Sequence, residues 1–400
     1  MGNPGLTQQN MLHSQYTPAD FRINPLMFYY EVTTACDLVC KHCRASAQEA
    51  AHPGQLTTEQ SKALIDQVAT FPRKPNLVLT GGDPLKRSDI FDLIRHAVAA
   101  GLQVALTPSA TPLATKEALQ KAKDAGVRIL GISLDGPDAK THDAFRGWEG
   151  SFNRTMRMLI DARKLGLGVQ INTTITQRNF HLIEEMATLL STQGIAMWSV
   201  FFLIPVGRGI DEERISPEQY EEAFERLWIQ AGRQPYGIKT TEAPHYRRFV
   251  MQRHGDPLAE PTVGQVSTLP KHSGNERQAR SLPHGSRDRN HRTPLGVRDG
   301  NGIMFVSHTG KILPAGFLPL VCESFPNDSV VDIYQHHPTF LALRDPDQFT
   351  DDCGICEYRY ICGGSRSRAY AVTGDPLAGE PDCVYQPGQI PTIQLEPVAQ

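Results

Sequence analysis

The stretch Met27-Phe28-Tyr29-Tyr30-Glu31-Val32-Thr33 runs directly into Thr34-Ala35-Cys36-Asp37-Leu38-Val39-Cys40-Lys41-His42-Cys43, and the fold is read outward from this junction. The first seven residues are aromatic, β-branched or apolar with one charge among them, the composition of a strand. Cys36-x3-Cys40-x2-Cys43 then sets three thiols within eight residues on one loop. A 4Fe–4S cluster has four irons and normally takes four thiolates, so three leave one iron open to a small nitrogen- and oxygen-donating ligand. A zinc site would pair C-x2-C with a distant second pair and close at four ligands.

At these residues the chain resembles the radical S-adenosylmethionine (SAM) superfamily, whose signature is C-x3-C-x2-C. The resemblance implies that Cys36, Cys40 and Cys43 hold a SAM-binding 4Fe–4S cluster and that the open iron takes the methionyl amino and carboxylate groups. It also implies reductive cleavage of SAM to a 5′-deoxyadenosyl radical that abstracts hydrogen. His42 stands where that family commonly has an aromatic residue, and its flat ring could lie against adenine.

From the signature onward, β-prone runs at 27–33, 77–80, 103–107, 128–134, 168–175 and 197–203 alternate with amphipathic stretches at 58–70, 88–100, 115–125, 151–165 and 182–193. The alternation predicts βα units and a parallel sheet, either open or closed into a barrel. The resemblance selects a partial (β/α)6 barrel, with its chemistry at the carboxyl ends of the strands. Thr80-Gly81-Gly82-Asp83-Pro84 follows the second strand. It resembles the family's GGEP segment, with Gly81 and Gly82 letting backbone approach SAM and the Asp83 carboxylate accepting from its amino group. After the fourth strand come Ser133-Leu134-Asp135-Gly136 and, further on, Arg146. The resemblance gives Ser133 and Arg146 the SAM carboxylate and ribose. Ser151 reads as a plain N-cap of the next helix. Asn172 and Thr174 alternate to one side of the fifth strand, and Leu203 at the end of the sixth is implied to pack on adenine.

A helix at 217–231 follows, and the polar run 254–302 carries few large apolar residues, so it reads as a flexible connection. Its basic positions, Lys271, Arg287, Arg289 and Arg292, read as solvated. Two β-prone runs flank His308-Thr309-Gly310 like a hairpin. Then Cys353-x2-Cys356-x5-Cys362 appears, with Cys383 after twenty intervening residues. A zinc ribbon is one reading of four such cysteines. The other is a resemblance to the SPASM/twitch extension of radical SAM enzymes, which implies that Cys353, Cys356, Cys362 and Cys383 hold one auxiliary 4Fe–4S cluster. The full SPASM pattern holds a second auxiliary cluster, but Arg366 and the segment Pro314-Ala315-Gly316 occupy the places of its ligands. Cys322 reads as a core thiol. The segment from Gly363 to Tyr370 looks most like the branch containing heme and heme d1 biosynthesis enzymes, beside the peptide maturases.

The expected fold class is therefore α/β: a radical SAM partial barrel at 25–235 after a flexible N-terminus at 1–24. A largely flexible polar linker at 236–302 and a SPASM/twitch-like auxiliary cluster domain at 303–390 complete it. Forty basic against 43 acidic residues, a formal charge of −3, offer no nucleic acid a partner surface. The start lacks a signal pattern and no apolar run spans a bilayer, so no membrane is expected. Seven of the eight cysteines fall in two motifs, which favours metal over disulfides and a cytoplasmic location. Three functions stay open. The first is a radical SAM oxidoreductase acting on a tetrapyrrole or peptide, with a donor such as flavodoxin or ferredoxin. The others are a maturase of a partner protein and a non-catalytic iron–sulfur electron carrier.

Overall fold

The seven-residue run that opens the signature is β1 (Met27–Thr33), and six more parallel strands follow it in spatial as in sequence order. They are β2 (Asn76–Gly81), β3 (Gln103–Leu106), β4 (Ile129–Ser133), β5 (Gly168–Ile175), β6 (Met197–Phe202) and β7 (Gly237–Thr241). The structure is a computed structural model that describes residues 16–17, 19–255 and 296–388. Parallel neighbours need long crossovers. These carry α1 (Thr58–Val68), α2 (Ile90–Ala99), α3 (Lys116–Ala125), α4 (Ala139–Arg146), α5 (Ser151–Leu165), α6 (Ile183–Ser191) and α7 (Pro217–Arg233). With strand order equal to chain order and each crossover of the usual hand, the sheet curls into a partial (β/α) barrel with its helices outside.

Local chemistry sets the helix ends. Thr57 with Gln60 and Ser216 with Gln219 form capping boxes before α1 and α7. Ser151 is not the cap of α5 that the sequence suggests. Gly150 holds that place, the Asp143 carboxylate takes the amides of Gly150 and Phe152 at 2.7 Å each, and Ser151 is buried against His142. α4 itself has no counterpart among the expected helices.

The expected linker also starts too early. Residues 237–254 form β7 and α8 (His245–His254), β7 pairing with β6 over five residues. Gly237-Ile238-Lys239-Thr240-Thr241 has a single large apolar residue, so its strand character comes from the β6 edge rather than from pattern. At the other edge β8 (Ile303–Val306) pairs in parallel with β1, and β9 (Lys311–Leu313) and β10 (Glu323–Ser324) extend one ten-stranded sheet. The cysteine-bearing C-terminal segment is thus sewn onto the first strand. Four helices follow: α9 (Val330–His336), α10 (Pro338–Arg344), α11 (Asp351–Ile355) and α12 (Arg366–Thr373). Tyr334 of α9 donates to the Phe21 carbonyl at 2.8 Å, so part of the stretch expected to be a free N-terminus is packed. The basic positions from Lys271 to Arg292 lie outside the described residues. Among the described residues no helix is long and apolar enough to cross a membrane.

One buried cation joins the pieces that frame the barrel mouth. Arg87, only 5% exposed, donates to the carbonyls of Val32 at 2.9 Å and Leu56 at 3.0 Å, to Ser61 at 2.9 Å, and to both oxygens of Asp89. Arg87→Met removes every one of these donors and leaves the Asp89 carboxylate with Thr58 but no cation. The variant is expected to lose about 3 kcal/mol in anaerobic urea unfolding. A loss below about 1 kcal/mol would mean that water replaces the guanidinium there.

Candidate active site

The cysteine loop leaves β1 and closes on itself where Cys36 N donates to Gln48 O at 2.7 Å and Gln48 N to Thr34 O at 3.1 Å. Backbone from two other strand ends lies against it. Gly82 N donates to Thr33 O at 2.8 Å and Asp83 N to Ala35 O at 2.7 Å. A Cβ on Gly82 would stand 2.4 Å from Ala35 O, so only glycine permits this approach. On the far side Gly207 has φ +58°, and a Cβ there would stand 2.3 Å from Arg44 O. The next residue, Arg208, donates from its amide to Cys43 O at 3.0 Å and from its side chain to Cys40 O and Ala47 O at 2.9 Å each.

Within the loop, amides meet sulfur: Leu38 N lies 3.4 Å from Cys36 Sγ and Ala47 N 3.4 Å from Cys43 Sγ. Burial pushes the Cys36 and Cys40 thiols up, while Arg146, whose Nη1 is 3.5 Å from Cys40 Sγ, pulls Cys40 back. Such thiols ionise when a cationic centre binds them. Arg146 is itself anchored by Asp135 at 2.5 Å, and Asp135 receives the Thr174 amide at 2.8 Å. His42 packs on Phe145 at 4.5 Å, and desolvation of its ring, with the Arg146 and Arg208 charges nearby, holds the imidazole neutral.

Cys36, Cys40, Cys43, His42, Gly81, Gly82, Ser133 and Arg146 all line one cavity of about 270 Å³, with Asn172 and Thr174. Two expected residues do not. Asp83 is fully buried, and its carboxylate is taken by Thr111 Oγ1 at 2.7 Å, Leu85 N at 3.1 Å and Ser109 N at 3.3 Å, so it buttresses the loop instead of presenting oxygen to a ligand. Leu203 lies one residue past the end of β6 and is buried away from the cavity, which Phe201 lines instead. Arg44, Asp135, Arg208, Phe305 and Phe317 carried no expectation. The Gly207-Arg208-Gly209 triplet at a strand end was the available signal for Arg208.

The residues fit a cluster with SAM. Three sulfurs face the cavity, and two buried nitrogens beside it, His42 Nδ1 and Arg146 Nε, have no hydrogen-bond partner in the protein, as a missing polar ligand would leave them. The other four cysteines gather around α11 and the turns that follow. Cys353 Sγ accepts from Glu380 N at 3.2 Å and Arg366 Nη2 at 3.6 Å, Cys362 Sγ from Gly364 N at 3.4 Å, and Cys383 Sγ from Arg248 Nη2 at 3.9 Å. Burial raises all four thiols; Arg366 draws Cys353 back and Arg248 Cys383, while Cys353 pushes Cys356, Cys362 and Cys383 further up. Arg366 is fully buried on the Phe349 ring and points a cation at Cys353. Cys322 sits in the main core, its thiol pushed up to about 11 by burial.

The Radical SAM superfamily matches residues 30–190. The chain is 38% identical over 362 residues to the AdoMet-dependent heme synthase of Nitratidesulfovibrio vulgaris, covering 90% of this chain and 92% of that protein. It is 37% identical over 365 residues to the AdoMet-dependent heme synthase of Methanosarcina barkeri, covering 91% and 98%. Among solved structures, Streptococcus suis SuiB bound to the precursor peptide SuiA is similar in fold, with a TM-score of 0.65 at 15% identity over 96% of this chain and 80% of that one.

The cavity wall also holds two carboxyl groups with no counterpart in the sequence reading, Glu242 and Asp299. Glu242 directly follows β7 and has φ +58°, a strained conformation for a residue with a side chain. Ser365 Oγ donates to it at 2.6 Å, Ser367 donates to Asp299 from its amide at 2.7 Å and its hydroxyl at 2.8 Å, and the two carboxyls bond each other. Burial, then the Asp299 charge, raises Glu242 far above the ordinary glutamate range. A raised native value means that the folded chain holds this proton more tightly than the unfolded one, so stability falls as pH rises above the ordinary glutamate range. Glu242→Gln keeps the serine bond without the titration. Its anaerobic melting temperature is expected to fall less steeply than that of the wild type between about pH 5 and 8. Parallel slopes would contradict the assignment.

Proposed function

The chain belongs to the radical SAM superfamily, and on that premise we propose that it converts propionate side chains of an iron porphyrin into the vinyl groups of heme. The reading rests on one observation above others: similarity along nine-tenths of the chain to proteins named AdoMet-dependent heme synthases. The cavity suits such a substrate, since Tyr29, Val78, Ile303, Phe305 and Phe317 add apolar and aromatic wall to the cavity that the three cysteines line.

In this reading Cys36, Cys40 and Cys43 hold the SAM-binding cluster, and Cys353, Cys356, Cys362 and Cys383 hold an auxiliary one. When bound, the first cluster and SAM supply a 5′-deoxyadenosyl radical able to take a hydrogen atom from unactivated carbon. The chain's part is placement. Arg208 and the Gly81–Gly82 backbone fix the loop, Arg146 and the neutral His42 wall the nucleoside side, and Ser133 with Asn172 offers polar atoms from adjacent strand ends. For each vinyl formed the substrate gives up one hydrogen atom, one electron and CO2, so an electron acceptor is required. The four C-terminal cysteines are assigned to hold that acceptor, where Arg366 and Arg248 direct N–H groups at sulfur and so favour the reduced state. A low-potential donor such as flavodoxin or ferredoxin would reduce the SAM-binding site, and the reducing cytoplasm suits both sets of thiols.

Anaerobic holoenzyme given SAM, dithionite and iron-coproporphyrin III, the iron porphyrin with propionates where heme has vinyls, is expected to yield heme with loss of CO2 by mass spectrometry. Deoxyadenosine formed with the porphyrin unchanged, or with a peptide consumed instead, would contradict the proposal. Cys40→Ala is expected to abolish deoxyadenosine formation. Cys353→Ala should lower iron by about four per chain and remove heme formation.

A further inference from the structure

Arg44 directly follows Cys43, and its guanidinium lines the cavity. Nη2 donates to Glu31 Oε1 at 2.9 Å, and His308 Nδ1 lies 2.8 Å from the other oxygen of the same carboxylate. Glu31 is 3% exposed on β1, and the neighbouring Arg44 charge with the His308 bond holds its carboxyl below the usual range despite burial. His308 sits in the turn between β8 and β9, so two edges of the sheet junction fix one arginine. The guanidinium carbon lies 4.7 Å from the centre of the Phe305 ring and 6.0 Å from that of Phe317, which in turn packs on Phe201 at 6.2 Å. Its plane is thus set by aromatic contact on one side and an ion pair at one edge. Among the described residues Nε and Nη1 have no protein acceptor, although they belong to a group only 19% exposed.

A guanidinium held through Nη2, with Nε and Nη1 free to donate and on a cavity wall, can give charge-assisted hydrogen bonds to a carboxylate. The Phe305 and Phe317 rings beside it match a flat π-system. We infer that Arg44 is a carboxylate-binding subsite that anchors one propionate of the tetrapyrrole while the macrocycle lies along Phe305 and Phe317, with Glu31 and His308 as positioning residues. This assignment rests on the tetrapyrrole reading above and gives it a specificity determinant. It explains why an arginine beside the cluster loop is tied, through Glu31, to a hairpin histidine 277 positions beyond that glutamate in sequence. The tie couples the guanidinium to the hairpin that follows β8.

The test is binding to anaerobic holoenzyme, followed by the Soret shift, of iron-coproporphyrin III and of its tetramethyl ester. The wild type is expected to favour the acid over the ester by about tenfold or more through charge-assisted hydrogen bonds. Arg44→Gln is expected to cut that preference at least about threefold, with Arg44→Lys intermediate because a point charge replaces the fork. Should Arg44→Gln fail to fold around the unpaired Glu31, the Arg44→Lys ratio decides, since the lysine retains a charge for that carboxylate. An unchanged acid-to-ester ratio in the variant would overturn the subsite while leaving the tetrapyrrole reading standing. Failure of the wild type to bind either porphyrin would overturn that reading and the subsite with it.

Discussion

The close approach of three backbone segments at the barrel mouth is the constraint on which the site depends. The cysteine loop has little regular structure of its own, and its shape is imposed by Thr33 and Ala35 carbonyls meeting the Gly82 and Asp83 amides, and by Arg208 capturing carbonyls from Cys40 to Ala47. Both contacts require glycine, since a Cβ at Gly82 or Gly207 would fall within 2.5 Å of a loop oxygen. Three cysteines thereby line a common cavity on a loop whose backbone is fixed by contacts with the protein itself.

The second organising element is the pairing of β8 with β1. A strand that follows the barrel by more than 60 residues returns to its first strand, residue Met27 opposite Ile303, and so carries Phe305, Phe317 and Asp299 to the cavity. The same segment leads to the four distal cysteines. Ser365 and Ser367, between Cys362 and the body of α12, bond the buried carboxyls Glu242 and Asp299 at the cavity wall. The barrel cavity and the C-terminal cysteine segment are therefore joined through a few polar groups, of which Asp299, Ser365 and Ser367 are buried.

Much of this was legible in the chain because it depends on local pattern. β1 and β5 and helix α5 appear with the bounds that periodicity suggests, since alternation and the Gly166 terminus are local signals. The strand β7 was not, because its pairing comes from an existing edge, and Ser151 misled because a nearby Asp143 outcompeted it as a cap. Within the site, cysteines, glycines, Ser133 and Arg146 announce themselves by motif. Asp83 and Leu203 show the limit of motif transfer: the residue type is right for a ligand contact, yet hydrogen bonding to Thr111 and the end of β6 turn the side chains elsewhere. Arg44, Glu242 and Asp299 become visible only when distant segments meet, which no spacing encodes.

We propose that one chain carries two iron–sulfur sites of different kinds, one open to SAM and one closed by four cysteines. Iron and sulfide analysis of anaerobic protein, joined to electron paramagnetic resonance of the reduced sample with and without SAM, tests it most directly. Two such sites give about eight irons per chain and two reduced-cluster signals, of which SAM alters one. About four irons, bound zinc in place of the second cluster, or two signals that both respond to SAM would contradict it.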